Sequence, residues 1–159
     1  MERPAAIAAT IEHLTAELHT LIQVTKDALD EATGEQSRAE NKYDTRGLEA
    51  SYLAGAQSER LLELKRVLSF YGVLPTDDRD ADAPIGMGSL VRIEESGRES
   101  WCLIAPDGRG RRVHVGDAAL TLVSPTSPLG RSLIGGRTDD EVLLHAPQGV
   151  REIAICETK

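Results

Sequence analysis

The 159 residues predict an α+β protein: an N-terminal antiparallel coiled-coil hairpin over residues 1–74, a linker over 75–85, and a small, mostly antiparallel α+β domain over 86–159. Three observations predict it. Residues 5–71 contain no proline and three glycines (Gly34, Gly47, Gly55), while the other eleven of the 14 glycines and six of the 7 prolines follow. Turn-forming residues therefore punctuate only the second part. Two apolar seams with heptad spacing fill the first part, and six short strand-like runs with one short helix fill the second.

The first seam runs Ile7, Ile11, Leu14, Leu18, Leu21, Thr25 and Ala28, in alternating steps of four and three. A second seam with the same alternation runs Gly47, Ala50, Ala54, Gln57, Leu61, Leu64, Leu68 and Tyr71. Between them Ala32–Ser37 is the one credible turn, so the two helices fold back on each other. At 1.5 Å per residue such a rod is roughly 40–50 Å long. Its seam residues shrink toward the turn, which makes the tip slim and places most packing near Leu14, Leu61 and Leu64.

Residues 75–84 (Pro-Thr-Asp-Asp-Arg-Asp-Ala-Asp-Ala-Pro) are acidic, lack large apolar side chains and are bracketed by prolines, as an exposed linker is. Strands are expected at Ser89–Glu94, Ser100–Ala105, Arg111–Val115, Ala119–Val123, Asp140–Ala146 and Val150–Cys156. A helix is expected at Pro128–Ile134, with proline at its first position and Gly135-Gly136 at its end.

A formal charge of −8 argues against a protein that wraps duplex DNA or lies on an anionic membrane. No stretch reaches the roughly 20 apolar residues of a membrane span, and Met1-Glu2-Arg3-Pro4 does not open a signal peptide. Cys102 and Cys156 lie far apart with no metal-ligand spacing, so a reduced, cytoplasmic protein is expected. The hairpin's charge is uneven. Residues 1–75 hold twelve acids and eight bases, and residues 27–44 alone hold six acids (Asp27, Asp30, Glu31, Glu35, Glu40, Asp44) against Arg38 and Lys42. The negative excess thus lies at the far end of the rod, where carboxylates could hold Mg²⁺ or repel phosphates. The plain reading of Ser37-x-x-Glu40 is a capping box at the start of the second helix. Asp27, Asp30 and Glu31 fall where the helix dipole disfavours them, and capping does not account for them.

Other residues read plainly. His13 and His19 are solvated, His114 and His145 are isolated on strands, and Trp101 is a core residue. Arg109-Gly110-Arg111-Arg112 is a basic hairpin loop, with contact to RNA or an acidic surface as the other reading.

The run Val123-Ser124-Pro125-Thr126-Ser127-Pro128-Leu129-Gly130-Arg131-Ser132-Leu133-Ile134-Gly135, followed by Asp140-Glu141-Val142 and Pro147-x-Gly149-x-x-Glu152-Ile153, resembles the bacterial Gre-type transcript-cleavage factors, including paralogues without cleavage activity. The resemblance implies a coiled coil followed by an FKBP-like domain, and RNA polymerase as partner. It implies docking through the C-terminal domain, with Ser127, Pro128, Leu129 and Arg131 as candidates (or, more plainly, a helix start), and insertion of the tip into the polymerase secondary channel. Tip acids Glu35, Glu40 and Asp44, beside Ser37, Asn41 and Tyr43, would then lie near the nascent RNA. Glu40 would share a Mg²⁺ with the polymerase, the chain having no cofactor or catalytic residue of its own. The family tip reads Asp-x-x-Glu-Asn-x-Glu-Tyr, whereas this chain reads Ser37-Arg38-Ala39-Glu40-Asn41-Lys42-Tyr43-Asp44. Aligned on Glu40-Asn41, the aspartate slot is Ser37; aligned on Tyr43-Asp44, the acidic slots are Gln36 and Ala39. The paired carboxylates are incomplete in either register, so cleavage stimulation and a regulatory or inhibitory role both stay open. A monomer without membrane contact is expected. The alternatives are a coiled-coil interaction adapter and a prolyl isomerase, the latter disfavoured because only Trp101 among the five aromatics lies in the C-terminal domain.

Overall fold

The computed structural model describes residues 1–33, 46–77, 80, 82–106, 108, 110–147 and 149–159, with backbone alone for 29, 31–33 and 46–54. It divides into two compact units, Ile11–Gly72, and Met1–Thr10 with Val73–Lys159.

The helices α1 (Arg3–Thr33), which enters the helical unit at Ile11, and α2 (Arg46–Gly72) are uninterrupted, as the lack of internal proline allows. Glu17 bonds Arg60 at 3.1 Å, and Arg60 also bonds Glu63 at 2.6 Å. Glu17 and Arg60 lie about four turns from the ends joined by the connection, the match an antiparallel pair requires. Leu14, Leu64 and Tyr71 are fully buried and Val67 is buried, while Leu61 and Leu68 are half-buried. Off-seam Ile22, Val24 and Leu62 face solvent. Thr25 tolerates its buried seam position because its hydroxyl donates to the Leu21 carbonyl at 2.8 Å.

The second unit is a six-stranded sheet in the order β3-β4-β2-β1-β6-β5. Its strands are β1 (Leu90–Glu95), β2 (Arg98–Ile104), β3 (Arg112–Val115), β4 (Ala118–Val123), β5 (Glu141–Ala146) and β6 (Gly149–Thr158), with α3 (Pro128–Leu133) between β4 and β5. All pairings are antiparallel except β2 with β4. β1 and β2 join through Ser96 and Gly97, both at positive φ (52° and 75°), the tight hairpin turn whose twist matches the strands. Alternation decides the faces. Val91, Ile93, Cys102, Ile104, Ile153 and Ile155 point to the core shared with Leu133 of α3, whereas Leu90, Leu103, Leu120 and Leu122 are buried at other positions of the same sheet.

Two expectations are corrected. Ile85, the last residue read as linker, is 2% exposed and belongs to the core; its N–H and C=O pair with Gly136 and Gly135. Trp101 is not core. It is half-exposed, with the Arg92 guanidinium 6.0 Å from its ring centroid. Arg92 bonds Glu99 and Glu157 at 2.7 and 3.2 Å, and Lys159 bonds Glu157 and Glu2 at 3.2 and 3.1 Å. These bonds, Glu99 first, raise Arg92 above its ordinary pKa, and Glu2 foremost does the same for Lys159.

Arg3 is 2% exposed, and its guanidinium donates to the carbonyls of Pro75, Asp77 and Gly88. Replacing it leaves the buried Gly88 carbonyl without this donor and removes the bonds to the exposed Pro75 and Asp77, so Arg3→Ala is expected to lower stability by about 2 kcal/mol in denaturant titration. Burial pushes the Cys102 thiol up to about 12. The folded state thus resists losing this proton while the unfolded chain gives it up near 9. Its contribution is complete below about pH 9 and falls as pH rises toward about 12, so the denaturation midpoint of Cys102→Ala should lose less over that interval than wild type.

Candidate functional site

The Ser124–Arg131 segment is braced from within. The Ser124 carbonyl accepts from both the N–H and the hydroxyl of Ser127, at 3.0 and 2.7 Å. Ser127 is extended (φ −68°, ψ 159°) and its Oγ accepts from Gly130 N–H at 3.0 Å, capping α3. Pro128 follows at the first helical position, where a missing N–H costs nothing. The Arg131 guanidinium returns to the Thr126 carbonyl. Gly130 is required by close approach: a Cβ there would lie 2.0 Å from the Ser124 oxygen. With these backbone groups satisfied internally, the segment presents Pro128 and Arg131 to solvent, Ser127 half-exposed, and Leu129 partly buried against the core.

Beside it lies a hollow of about 320 Å³, lined mainly by apolar side chains: Pro128 and Leu129 of the α3 turn, Val123 of β4, and Leu144 and Ala146 of β5. Thr121 and the Arg151–Glu95 ion pair (2.6 Å) also line it. Such a concavity suits one or two apolar side chains of a partner. Among the described residues, no aromatic side chain lines it. The four α3 candidates were visible as one motif; the β4, β5 and β6 residues were not. They come from separate strands, and only the alternating pattern of β5 (Leu144 and Ala146 on one face) could have suggested them.

The other candidates separate. Glu35, Ser37, Glu40, Asn41, Tyr43 and Asp44 lie outside the described residues, as does the expected helix start at Ser37. Asp27 and Asp30 are exposed on α1. In the basic loop Gly110 N–H reaches the Leu122 carbonyl at 3.2 Å and Arg112 is exposed; Arg109 is outside the described residues. His13, His19, His114 and His145 are exposed. The sheet brings Cys156 to Glu94 and Glu99, with ligand atoms within 4.8 Å of one another. Arg92 already holds Glu99, and both carboxylates are exposed.

Residues 81–159 match the family described as transcription elongation factor, GreA/GreB, C-term. Over 137 residues the chain is 32% identical to the transcription inhibitor protein Gfh1 of Thermus thermophilus, covering 82% of this chain and 83% of that protein. Over 158 residues it is 31% identical to transcription elongation factor GreB of Yersinia pestis, covering 92% of this chain and 82% of that protein. Among solved structures, Thermus thermophilus Gfh1 aligns over 95% of both chains at 24% identity, with a TM-score of 0.39.

Gly130→Ala should destabilise the C-terminal unit by about 2 kcal/mol or more, because the obstacle is backbone. Gly135→Ala is the control: it has open space for a Cβ and carries only the strain of its φ of 85°. Thermal denaturation of the two variants checks the difference.

Proposed function

The chain belongs to the GreA/GreB transcription elongation factor family, and on that premise we propose that it binds RNA polymerase through the α3 turn and its apolar hollow. It is a factor, not an enzyme in its own right. The observation that carries the docking proposal is the braced Ser124–Arg131 segment. A surface whose geometry is set before binding loses little entropy on association, and Pro128, Arg131 and Ser127 are presented beside a cavity large enough for an aliphatic side chain.

Within that reading, the helical hairpin brings the acids of residues 27–44 to the polymerase secondary channel, close to the nascent RNA. Glu40, with Glu35 or Asp44, would hold a Mg²⁺ shared with the polymerase; a second cation there stabilises attacking and leaving oxygens. With Ser37 in the aspartate slot this donor set falls short of the paired carboxylates, and one carboxylate holds Mg²⁺ less firmly than two. We therefore favour modulation of the polymerase active site over strong stimulation of RNA cleavage. The transcription inhibitor named among the relatives agrees with this direction. A coiled-coil adapter is not favoured, since the matched relatives are transcription factors.

Association with core RNA polymerase at micromolar protein is the direct test. Pro128→Asp and Arg131→Glu, both at exposed positions, should weaken binding about tenfold, or about 1.4 kcal/mol, while leaving the fold intact by circular dichroism. On backtracked complexes the wild type should change elongation with little RNA cleavage, and Glu40→Ala with Glu35→Ala should reduce that change. Absence of binding defeats the docking reading; vigorous Glu40-dependent cleavage defeats the modulatory one.

A further inference from the structure

The two faces of the sheet carry opposite charge. Residues opposite one another on antiparallel strands share a face. The register therefore gathers Glu94, Glu99, Glu141 and Glu152 on the face turned away from α3, with the small Ala154 among them. The register shift between Arg92 and Ile93 adds Glu157, opposite Arg92. Two cations stand beside these five carboxylates, and both are engaged: Arg92 by Glu99 and Glu157, Lys159 by Glu157 and Glu2. Glu94, Glu141 and Glu152 are exposed and form no ion pair among the described residues. Glu94 lies directly opposite Glu99, a placement of like charges that weakens a sheet. The α3 face reverses the balance, with Arg98 opposite Glu95, Arg112 opposite Thr121, and Arg151 bonded to Glu95.

Apolar groups share the acidic face. Leu143, opposite Glu152, is 53% exposed, and Val150, opposite His145, is 58% exposed. No other large apolar side chain on a described strand is exposed. The two line an open hollow of about 580 Å³ with Ser96 and Glu152; Arg151, in the same wall, is already held by Glu95. Trp101, the chain's one tryptophan, stands opposite Arg92 at the other end of the face, about 20 Å from Val150 along the strands. The face therefore offers an aliphatic seat at one end and uncompensated carboxylates beyond it. A nucleic acid or an anionic membrane is repelled by those carboxylates. A metal ion alone leaves the aliphatic seat empty. A protein segment with lysines or arginines behind an aliphatic residue answers both features, and its cations relieve the repulsion between Glu94 and Glu99.

We propose that the sheet face opposite α3 is a second contact surface for a basic protein segment: Glu94, Glu141 and Glu152 receive its cations, and Leu143 with Val150 receives its aliphatic residue. The surface is separate from the α3 turn and does not rest on the docking proposal.

The test is a titration of the full chain, without polymerase, with the capped peptide Leu-Leu-Lys-Arg-Ala-Lys-Arg, read by Trp101 fluorescence and by amide shifts in NMR spectra. Wild type is expected to bind saturably, with a dissociation constant below about 1 mM that rises with salt. Shifted amides should cluster at Glu94, Leu143, Val150 and Glu152. Glu94→Gln with Glu152→Gln should raise the constant about tenfold, and so should Leu143→Ser, each with an unchanged circular dichroism spectrum. Pro128→Asp on α3, and Asp27→Asn with Asp30→Asn on α1, should leave it unchanged. A peptide with glutamates in place of its cations should not bind. Absence of saturation up to about 1 mM overturns the proposal. Equal binding by a peptide with serines in place of leucines also overturns it, since that is attraction of any polycation to an acidic chain. So does a loss of affinity in Pro128→Asp or in the Asp27 and Asp30 variant as large as that at Glu94 and Glu152.

Discussion

A buried guanidinium organises the start of this molecule. Arg3 is withdrawn from water and spends its donors on three carbonyls distant in sequence: Pro75 and Asp77 after α2, and Gly88 before β1. A cation so placed is tolerable only when its hydrogen bonds are met, so the first turn of α1, the chain beyond α2 and the approach to β1 are held to one arrangement. Glu2 and the carbonyl of Met1 add a second tie by accepting from Lys159 at the chain's other end. Met1–Thr10 accordingly belong to the compact unit of the sheet, although they begin the long helix.

The sheet converts this frame into a surface. β1 lies centrally, between β2 and β6, and its alternation sends Val91 and Ile93 to the core that seats α3. Because Leu133 is fully buried while Pro128 and Arg131 are exposed, α3 is pinned at one end and open at the other. The Ser124 carbonyl accepts two bonds from Ser127 and sits where a side chain on Gly130 would have to be. Rigidity here is a local property of eight residues, and the adjacent hollow is contributed by strands that fold elsewhere in the chain. The result is a braced turn beside an apolar concavity.

Much of this was legible in the residues. The strands fell within two residues of their expected bounds, because β-branched alternation and Gly or Pro punctuation act locally. The α3 motif was legible for the same reason: Ser, Pro and Gly at fixed spacing each serve a backbone need within one turn. Trp101 was misread because alternation reports which face a side chain takes but not whether that face is covered. Here Arg92, held by Glu99 and Glu157, lies over it instead of core. Ile85 was misread because it directly follows an acidic, proline-bracketed stretch that looks solvated, until a strand-like pairing with Gly135 and Gly136 draws it inward.

By itself the sequence determined the elements, their order, the capped α3 turn and the acidic bias of the hairpin's far end, all matters of spacing between near neighbours. Only the tertiary structure decided which distant residues meet: Arg3 with Gly88, Leu144 and Ala146 with Pro128, Cys156 with Glu94 and Glu99, and α3 with β5. Those meetings depend on strand order and on a parallel β2–β4 pairing that places β3 outermost. Loop closure over long separations is chosen by the energy of the whole core, and no local pattern of residues records that choice.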